Sequence, residues 1–346
     1  MLQPPVKGKT VLGLDPAYRT GCKIAVVDET GKVLDTAVIY PTPPQNKVEE
    51  AKKMMKHLIE KNNVDIISIG NGTASRESEI FVAELLKEID RKVYYMVVSE
   101  AGASVYSASK LGAEEFPDFD VALRSAVSIA RRLQDPLAEL VKIDPKAIGV
   151  GQYQHDMNQK RLGETLGGVV EDCVNSVGVD LNTASPSLLS YISGVSSAIA
   201  KNIVEYRETN GKFRKRDELK KVKKLGDKTF EQCAGFLRIP DGDNVLDNTS
   251  VHPESYEAAK KLLDIMGYSL EDVKQKKLDG LKEKVEKTGI SKIAEEIGVG
   301  VPTLRDIIKE LLKPGRDPRD ELPKPILLTD VLHLEDLRPG MVLTVL

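Results

Sequence analysis

Ser187-Leu188-Leu189-Ser190-Tyr191-Ile192-Ser193-Gly194-Val195-Ser196-Ser197-Ala198-Ile199-Ala200 and, further on, Glu218-Leu219-Lys220-Lys221-Val222-Lys223-Lys224-Leu225-Gly226-Asp227-Lys228-Thr229-Phe230 follow one pattern. Each is a short apolar helical segment, a tight turn with a glycine, and a second helix, running on to Arg207 in the first copy and to Cys233 in the second. Ser187 to Ile239 is therefore predicted to form two consecutive helix-hairpin-helix units. At such a bend the second helix begins with N–H groups that have no intrahelical acceptor, and its end carries partial positive charge. That combination suits a phosphate oxygen. Gly194 and Gly226 are expected to admit a sugar-phosphate chain. The N–H groups of Val195, Ser196, Asp227 and Lys228 are expected to donate to it, with Lys201, Lys212, Arg214, Lys223 and Lys224 adding charge.

The usual hairpin reads Gly-apolar-Gly, and each copy here keeps one of the two glycines. Ser196 stands at the second glycine position of the first copy, and Lys224 at the first glycine position of the second. Glycine is needed where the chain takes positive φ or where a phosphate comes close to the backbone, so these replacements weaken the expected grip. Charge supports the phosphate reading locally. Lys212 to Lys224 holds eight basic residues against Asp217 and Glu218, a local charge of +6 in a chain of net charge −3. Such a cluster is expected to bind phosphates without reading sequence and to lose affinity steeply with salt.

At 346 residues the chain calls for two or three domains. Its 41% hydrophobic and 30% charged content is that of a globular chain, and no apolar run reaches the roughly 18 residues of a membrane span. Met1-Leu2-Gln3-Pro4-Pro5 lacks the apolar core of a signal peptide, so a cytoplasmic protein is expected. Cys22, Cys173 and Cys233 lie far apart, and His57, His155, His252 and His333 are scattered. Neither a disulfide framework nor a zinc site is encoded.

The first part of the chain reads as three hairpin-linked strands, Thr10 to Leu14, Lys23 to Asp28 and Val33 to Tyr40, followed by strand-helix alternation. Helices are predicted at Lys47 to Lys61, Glu77 to Ile89, around Ala101 to Ser109 and at Val121 to Leu133, with strands at Val64 to Ile69 and Val93 to Val98. That order gives a mixed sheet with helices on both faces, the order of the ribonuclease H-like fold.

From Gln159 the pattern is wholly helical. Leu162, Leu166, Val169, Val170, Cys173 and Val177 mark the expected buried face of a long helix ended by Gly178. Later helices are predicted at Glu254 to Met266, Leu270 to Lys287 and Ile290 to Leu312, the last bent at Gly298-Val299-Gly300, a turn read as structural because no basic cluster flanks it. The fold class is an α/β ribonuclease H-like mixed sheet followed by an all-α helix-hairpin-helix region. Expected divisions are 1–148 for the sheet domain, 149–250 for the tandem hairpins, 251–330 for a helical region and linker beginning in Lys313 to Asp320, and 331–346 for the start of a truncated OB-fold.

Carboxylates mark a second candidate site. Asp15 ends the first strand, Glu100 follows the strand Val93 to Val98, and Asp120 opens the helix before Val121. Ribonuclease H-like nucleases place metal-binding acids at such positions, and two Mg²⁺ or Mn²⁺ ions held there would activate water on a phosphodiester. In the Holliday-junction resolvase branch the last helix carries Asp-x-x-Asp-x-x-Ala. Here the matching run is Asp120-Val121-Ala122-Leu123-Arg124-Ser125-Ala126, so Leu123 replaces one ligand, and Arg124 is expected to compete for the remaining carboxylates. The loop Gly70-Asn71-Gly72-Thr73-Ala74-Ser75-Arg76-Glu77 has the shape of an anion cradle but lacks the Gly-Lys-Ser/Thr ending of a nucleotide loop.

Together these segments resemble the bacterial Tex-type transcription accessory proteins. The resemblance rests on Gly13-Leu14-Asp15-Pro16 with Arg19-Thr20-Gly21, the Gly70 to Glu77 loop, Ala130-Arg131-Arg132-Leu133-Gln134-Asp135-Pro136-Leu137 and Gly149-Val150-Gly151-Gln152-Tyr153-Gln154-His155-Asp156. Asp180-Leu181-Asn182-Thr183-Ala184-Ser185, Asp247-Asn248-Thr249-Ser250-Val251-His252-Pro253-Glu254 and Pro314-Gly315-Arg316-Asp317-Pro318-Arg319-Asp320 match as well. It implies a multidomain nucleic-acid binder with a helical N-terminal region, a resolvase-like domain, tandem hairpins and a C-terminal OB-fold RNA-binding barrel, related to a eukaryotic transcription elongation factor. On that resemblance the chain is a central fragment without the N-terminal region and the barrel, and its affinity should fall below that of the whole protein.

The reading that follows is a sequence-tolerant, non-catalytic nucleic-acid-binding scaffold in transcription. It needs no cofactor, binds RNA or DNA through phosphates, meets the transcription machinery and touches no membrane. Two alternatives stand beside it: a metal-dependent structure-selective nuclease using Asp15, Glu100 and Asp120, and a protein-interaction module of the transcription or translation machinery.

Overall fold

The computed structural model describes residues 1–149, 151–315 and 317–329. The expected start of an OB-fold at 331–346 lies outside the described residues, as does His333. The described residues form two compact units, Met1–Met157 joined by the stretch from Pro323 to Thr329, and Asn158–Leu322.

In the first unit, β1 (Val11–Asp15), β2 (Cys22–Val27) and β3 (Val33–Ile39) form an antiparallel meander. Its β2–β3 turn closes because Asp28 Oδ1 accepts from the N–H groups of Thr30 and Lys32 while Gly31 takes φ +81°. After α1 (Val48–Lys61), β4 (Ile66–Gly70) pairs parallel with β1, and after α2 (Ser75–Leu86), β5 (Tyr94–Val98) pairs parallel with β4. The sheet order β3-β2-β1-β4-β5 is the ribonuclease H-like order expected from the alternation.

Alternate residues of the central strands feed two cores. Leu12, Leu14, Ile24 and Val26 pack with Met55, Leu58 and Ile59 of α1 and Val82 and Leu85 of α2. Val11, Ala25 and Val27 pack with Ala126, Val127, Ile129 and Ala130 of α5 (Val121–Gln134), which follows α3 (Ala103–Ala108) and α4 (Lys110–Glu115). The helix α5 lies directly on β1, since a Cβ at Gly13 would sit 2.2 Å from the carbonyl oxygen of Ala126. Short α6 (Pro136–Leu140) starts at Asp135, whose carboxylate accepts from the N–H groups of Leu137 and Ala138.

The linker region that begins in Lys313 to Asp320 carries structure of its own. Asp317 and Arg319 are buried and paired at 2.8 Å around a 3₁₀ turn at Pro318–Glu321, and Leu328 then pairs antiparallel with Tyr95 on the outer edge of β5. That edge strand was illegible in sequence because a single bridge leaves no period-2 pattern.

The second unit opens with α7 (Gln159–Val177), capped by Asn158 Oδ1 accepting from Arg161 N–H and ended at Gly178 with φ +77°. Val170, Val174 and Val177 are its buried residues. Val169, expected on the buried face, is 53% exposed, because that face narrows to a single i, i+4, i+7 stripe. Then β6 (Val179–Asp180), α8 (Pro186–Leu189), α9 (Ser197–Asn210), a 3₁₀ turn at Arg216–Lys221, α10 (Asp227–Cys233) and β7 (Leu237–Arg238) follow, with β6 and β7 joined in parallel across the hairpins. The remainder is α11 (Tyr256–Met266), α12 (Leu270–Lys274), α13 (Leu281–Thr288), α14 (Ile290–Ile297) and α15 (Val301–Leu312) around one apolar core. The single helix predicted over Leu270 to Lys287 is two helices, broken where Gly280 takes φ +80°.

Candidate nucleic-acid interface

The two tandem hairpins repeat with an offset of 30 residues, and their backbones correspond at the turns. Leu189, Ile192 and Val195 correspond to Leu219, Val222 and Leu225, all buried. Val195 N–H donates to Ile192 O at 2.9 Å and Leu225 N–H to Val222 O at 3.1 Å. Gly194 and Lys224 take left-handed φ values of +78° and +67°. Ser196 and Gly226, both extended, then cap the second helices. Lys224 thus occupies the glycine position of its hairpin with a glycine-like backbone, and Ser196 meets the cap requirement through its hydroxyl, which accepts from Ile199 N–H at 3.3 Å.

The hairpins also brace each other. Asn202 on α9 donates through its amide to the carbonyl of Lys223 at 2.7 Å. Its counterpart on α10, Gln232, lies against Gly194, where an added Cβ would fall 2.7 Å from the Gln232 amide oxygen. Gly194 is therefore required by its φ and by Gln232, and the expectation that it makes room for a phosphate is replaced by a packing reason. At Gly226 the added Cβ would meet nothing within 4 Å, so the approach to that backbone is open.

One expected donor is lost, because the N–H of Val195 is consumed by Ile192 O. Among the described residues, the N–H groups of Ser196, Ser197 and Ala198 at the start of α9, and of Asp227, Lys228 and Thr229 at the start of α10, have no acceptor. Ser196, Ser197 and Ala198 are exposed, as are Asp227 and Lys228. Ser197, Ala198 and Thr229 escaped the sequence reading, although the repeat offset was the signal that would have aligned the two mouths. Lys201, Lys212, Lys223, Lys224 and Lys228 are exposed and form no ion pair among the described residues, while exposed Arg214 donates to Asp241 O at 3.3 Å.

Arg216 does not belong to the basic surface. It is 1% exposed, and its guanidinium donates to the carbonyls of Leu237, Val251 and Thr249 and to the Tyr256 hydroxyl, itself bonded to Asp247 Oδ1 at 2.6 Å. The exposed part of the cluster therefore carries one positive charge fewer than the sequence count.

The Gly298-Val299-Gly300 turn repeats the same course, with Gly298 left-handed and Gly300 extended as the cap of α15. Around it Lys292, Arg305 and Lys309 are balanced by Glu295, Glu296 and Asp306.

In the first unit the carboxylates are brought together only in part. Burial pushes Asp15 up to about 6, the Glu100 charge adds to that, and a hydrogen bond from Ser125 and the Lys23 ammonium oppose it. Glu100 fills the hollow of the Gly70–Gly72 loop, where a Cβ at Gly72 would lie 1.7 Å from Oε1 and one at Gly70 2.6 Å from Oε2. The loop read as an anion cradle thus receives the protein's own carboxylate. Glu100 Oε2 is buried and has no hydrogen-bond partner among the described residues. Asp120 caps α5, accepting from Leu123 N–H at 2.7 Å. Arg124, expected to compete for the carboxylates, donates instead to the carbonyls of Phe116 and Ser107. No group of three or more His, Cys, Asp or Glu side chains able to hold a metal ion forms among the described residues. Two carboxylates and a serine, beside the ammonium of Lys23, do not fit a two-ion centre.

Comparison with known proteins agrees with both halves. Residues 9–134 match the Tex protein YqgF-like domain, residues 174–238 the helix-hairpin-helix motif and residues 244–319 the HHH domain. The chain is 55% identical over 344 residues to Protein tex of Bordetella pertussis, covering 99% of this chain and 43% of that protein. The chain belongs to the Tex family. Within the Tex family it is also 52% identical over 344 residues to the transcriptional accessory protein Tex of Neisseria gonorrhoeae, covering 99% of this chain and 44% of that one. Similarity extends to YdcI of Bacillus subtilis, at 58% over 341 residues, 99% of this chain and 47% of YdcI. The chain spans a little under half the length of these relatives. The HHH domain match, residues 244–319, includes the Gly298 to Gly300 turn. Among the described residues no helix is long and apolar enough to cross a membrane.

Proposed function

We propose that this chain binds nucleic acid through the sugar-phosphate backbone, without reading sequence, and acts as a non-catalytic scaffold accessory to transcription. The observation that carries it is the tandem mouth: two bends of matching backbone course whose second helices start with N–H groups that have no acceptor among the described residues, flanked by five exposed lysines without ion-pair partners among the described residues. Phosphate is common to every sequence, so binding follows backbone charge and geometry and weakens with salt. The names of the Tex relatives support the transcription accessory role, with the transcription machinery as the second partner.

No cofactor is required for this activity. The dispersed carboxylates of the first unit support its role as a docking platform, Asp120 serving as a helix cap and Glu100 filling its own loop. The test is a titration of labelled duplex and single-stranded DNA and RNA at several salt concentrations. Lys223→Glu with Lys224→Glu is expected to weaken binding to all of them and to flatten the salt dependence; unchanged binding would count against the hairpins as the interface. Incubation of branched and single-stranded substrates with Mn²⁺ tests the non-catalytic part, and cleavage abolished by Asp15→Asn would overturn it.

A further inference from the structure

The helix α7 carries two apolar stripes, and its own unit buries one of them. Val170, Val174 and Val177 are the buried stripe. Leu162, Leu166, Val169 and Cys173 recur at intervals of four, three and four residues, the spacing of a seam that another helix fills. No residue from Gln159 to Val169 is buried, and Val169 is 53% exposed. Gly163, Gly167 and Gly168 fall in the same turns, and a Cβ added at any of them would meet nothing within 4 Å. Glycine weakens a helix interior, so this half of α7 needs support from packing and finds none that buries it among the described residues.

Charge identifies the neighbour that fits. Arg161 and Asp172 are exposed and form no ion pair among the described residues. They stand eleven residues apart, about three turns, and so lie along one edge of the free stripe. A second α7 laid antiparallel, with the two-fold axis between Gly167 and Gly168, sets Leu162 against the partner's Cys173 and Leu166 against the partner's Val169. In that register Arg161 stands level with the partner's Asp172 to within about 3 Å of helix rise, and the same pair recurs across the axis. A parallel pair would instead bring the charged edge against the opposite one, where Gly163 offers no charge and Val170 is already buried in its own unit.

We propose that the free face of α7 joins two copies of this chain through an antiparallel helix pair, held by the Leu162, Leu166, Val169 and Cys173 seam and by two symmetry-related Arg161–Asp172 ion pairs. The contact is short, so the association is weak and reversible.

The test is sedimentation equilibrium of the 346-residue chain over about 1 to 300 μM, with half-association expected at about 10 to 100 μM, the range of a small interface. Arg161→Glu sets two carboxylates against each other at both ends of the pair and is expected to weaken association about fivefold to thirtyfold. Arg161→Glu with Asp172→Arg exchanges the signs and is expected to restore it to within about twofold of the parent. Both variants alter exposed side chains, so their melting temperatures should stay within about a degree or two of the parent. Leu162→Cys is expected to give a disulfide-linked dimer through the partner's Cys173 under mild oxidation, and Leu162→Cys with Cys173→Ser to give none. A chain that stays single throughout the concentration series overturns the proposal. So does association that Arg161→Glu leaves unchanged, that the exchanged signs fail to restore, or that yields no disulfide through Cys173.

Discussion

The sheet unit and the hairpin unit both carry side chains of the kind used on nucleic acids, and they treat them in opposite ways. In the sheet unit Asp120 is spent on a helix cap, Arg124 on two carbonyls and Glu100 on a glycine-walled hollow. In the hairpin unit the N–H groups of Ser197, Ala198 and Lys228 and the ammoniums of Lys201, Lys223 and Lys224 stay exposed and unpaired among the described residues. In the sheet unit Asp120 and Arg124 are tied to backbone partners. A binding surface keeps its function by leaving groups unsatisfied, at a cost that water can cover.

The strongest challenge to this contrast is Arg216, a basic residue of the hairpin run that behaves like the groups of the sheet unit. Arg216→Ala is expected to destabilise the chain by about 3 to 5 kcal/mol, because it strands the buried carbonyls of Leu237, Thr249 and Val251. Neighbouring Lys215→Ala should cost less than about 0.5 kcal/mol. Equal melting temperatures for the two variants would erase the distinction between buried and surface members of the run.

Next in size is the effect on binding. Lys223→Glu with Lys224→Glu is expected to raise Kd about 100-fold at low salt without changing the melting temperature by more than a degree or two. A matching loss of stability would show that these lysines hold the fold. Gly194→Ala is expected to cost about 2 kcal/mol, since it meets both a left-handed φ and Gln232. Gly226→Ala, with φ −88° and open space, should be neutral or slightly stabilising in the same denaturation assay.

In the sheet unit the sharper probe is pH. Asp15 holds its proton up to about pH 6 in the folded chain but releases it near 3.8 when unfolded. Its ionisation therefore subtracts stability as pH rises from about 4 to 6, and the full penalty is present above that window. Asp15→Asn is expected to raise stability at pH 7.5 by about 1 to 2 kcal/mol and to change nothing below pH 4. A gain that persists at pH 3.5 would assign the effect to packing. In the same unit Asp120→Ala is expected to cost about 1 kcal/mol at neutral pH for the lost cap, read by urea denaturation.

Much of this was legible in the residues. Three hairpin-linked strands followed by two strand-helix pairs led to the observed sheet order, because period-2 burial and turn chemistry are local. The hairpins were legible for the same reason: Gly194 and Gly226 lie next to buried apolar residues at fixed spacing. The illegible parts are those that depend on distant partners. Nothing near Arg216 in sequence marks it as buried, since its acceptors lie at 237, 249, 251 and 256. The return of Leu328 to Tyr95 joins residues more than 200 positions apart.

Sequence by itself determined the two architectures, the tandem bends and their excess of lysine, since these follow from local periodicity, turn residues and charge. Tertiary structure decided which of the nominated groups remain free. It assigned Val195 N–H to Ile192, Glu100 to the Gly70–Gly72 hollow, Asp120 to a helix end and Arg216 to the interior. A buried polar group must find its partner wherever the fold brings one, and only three-dimensional packing fixes where that is.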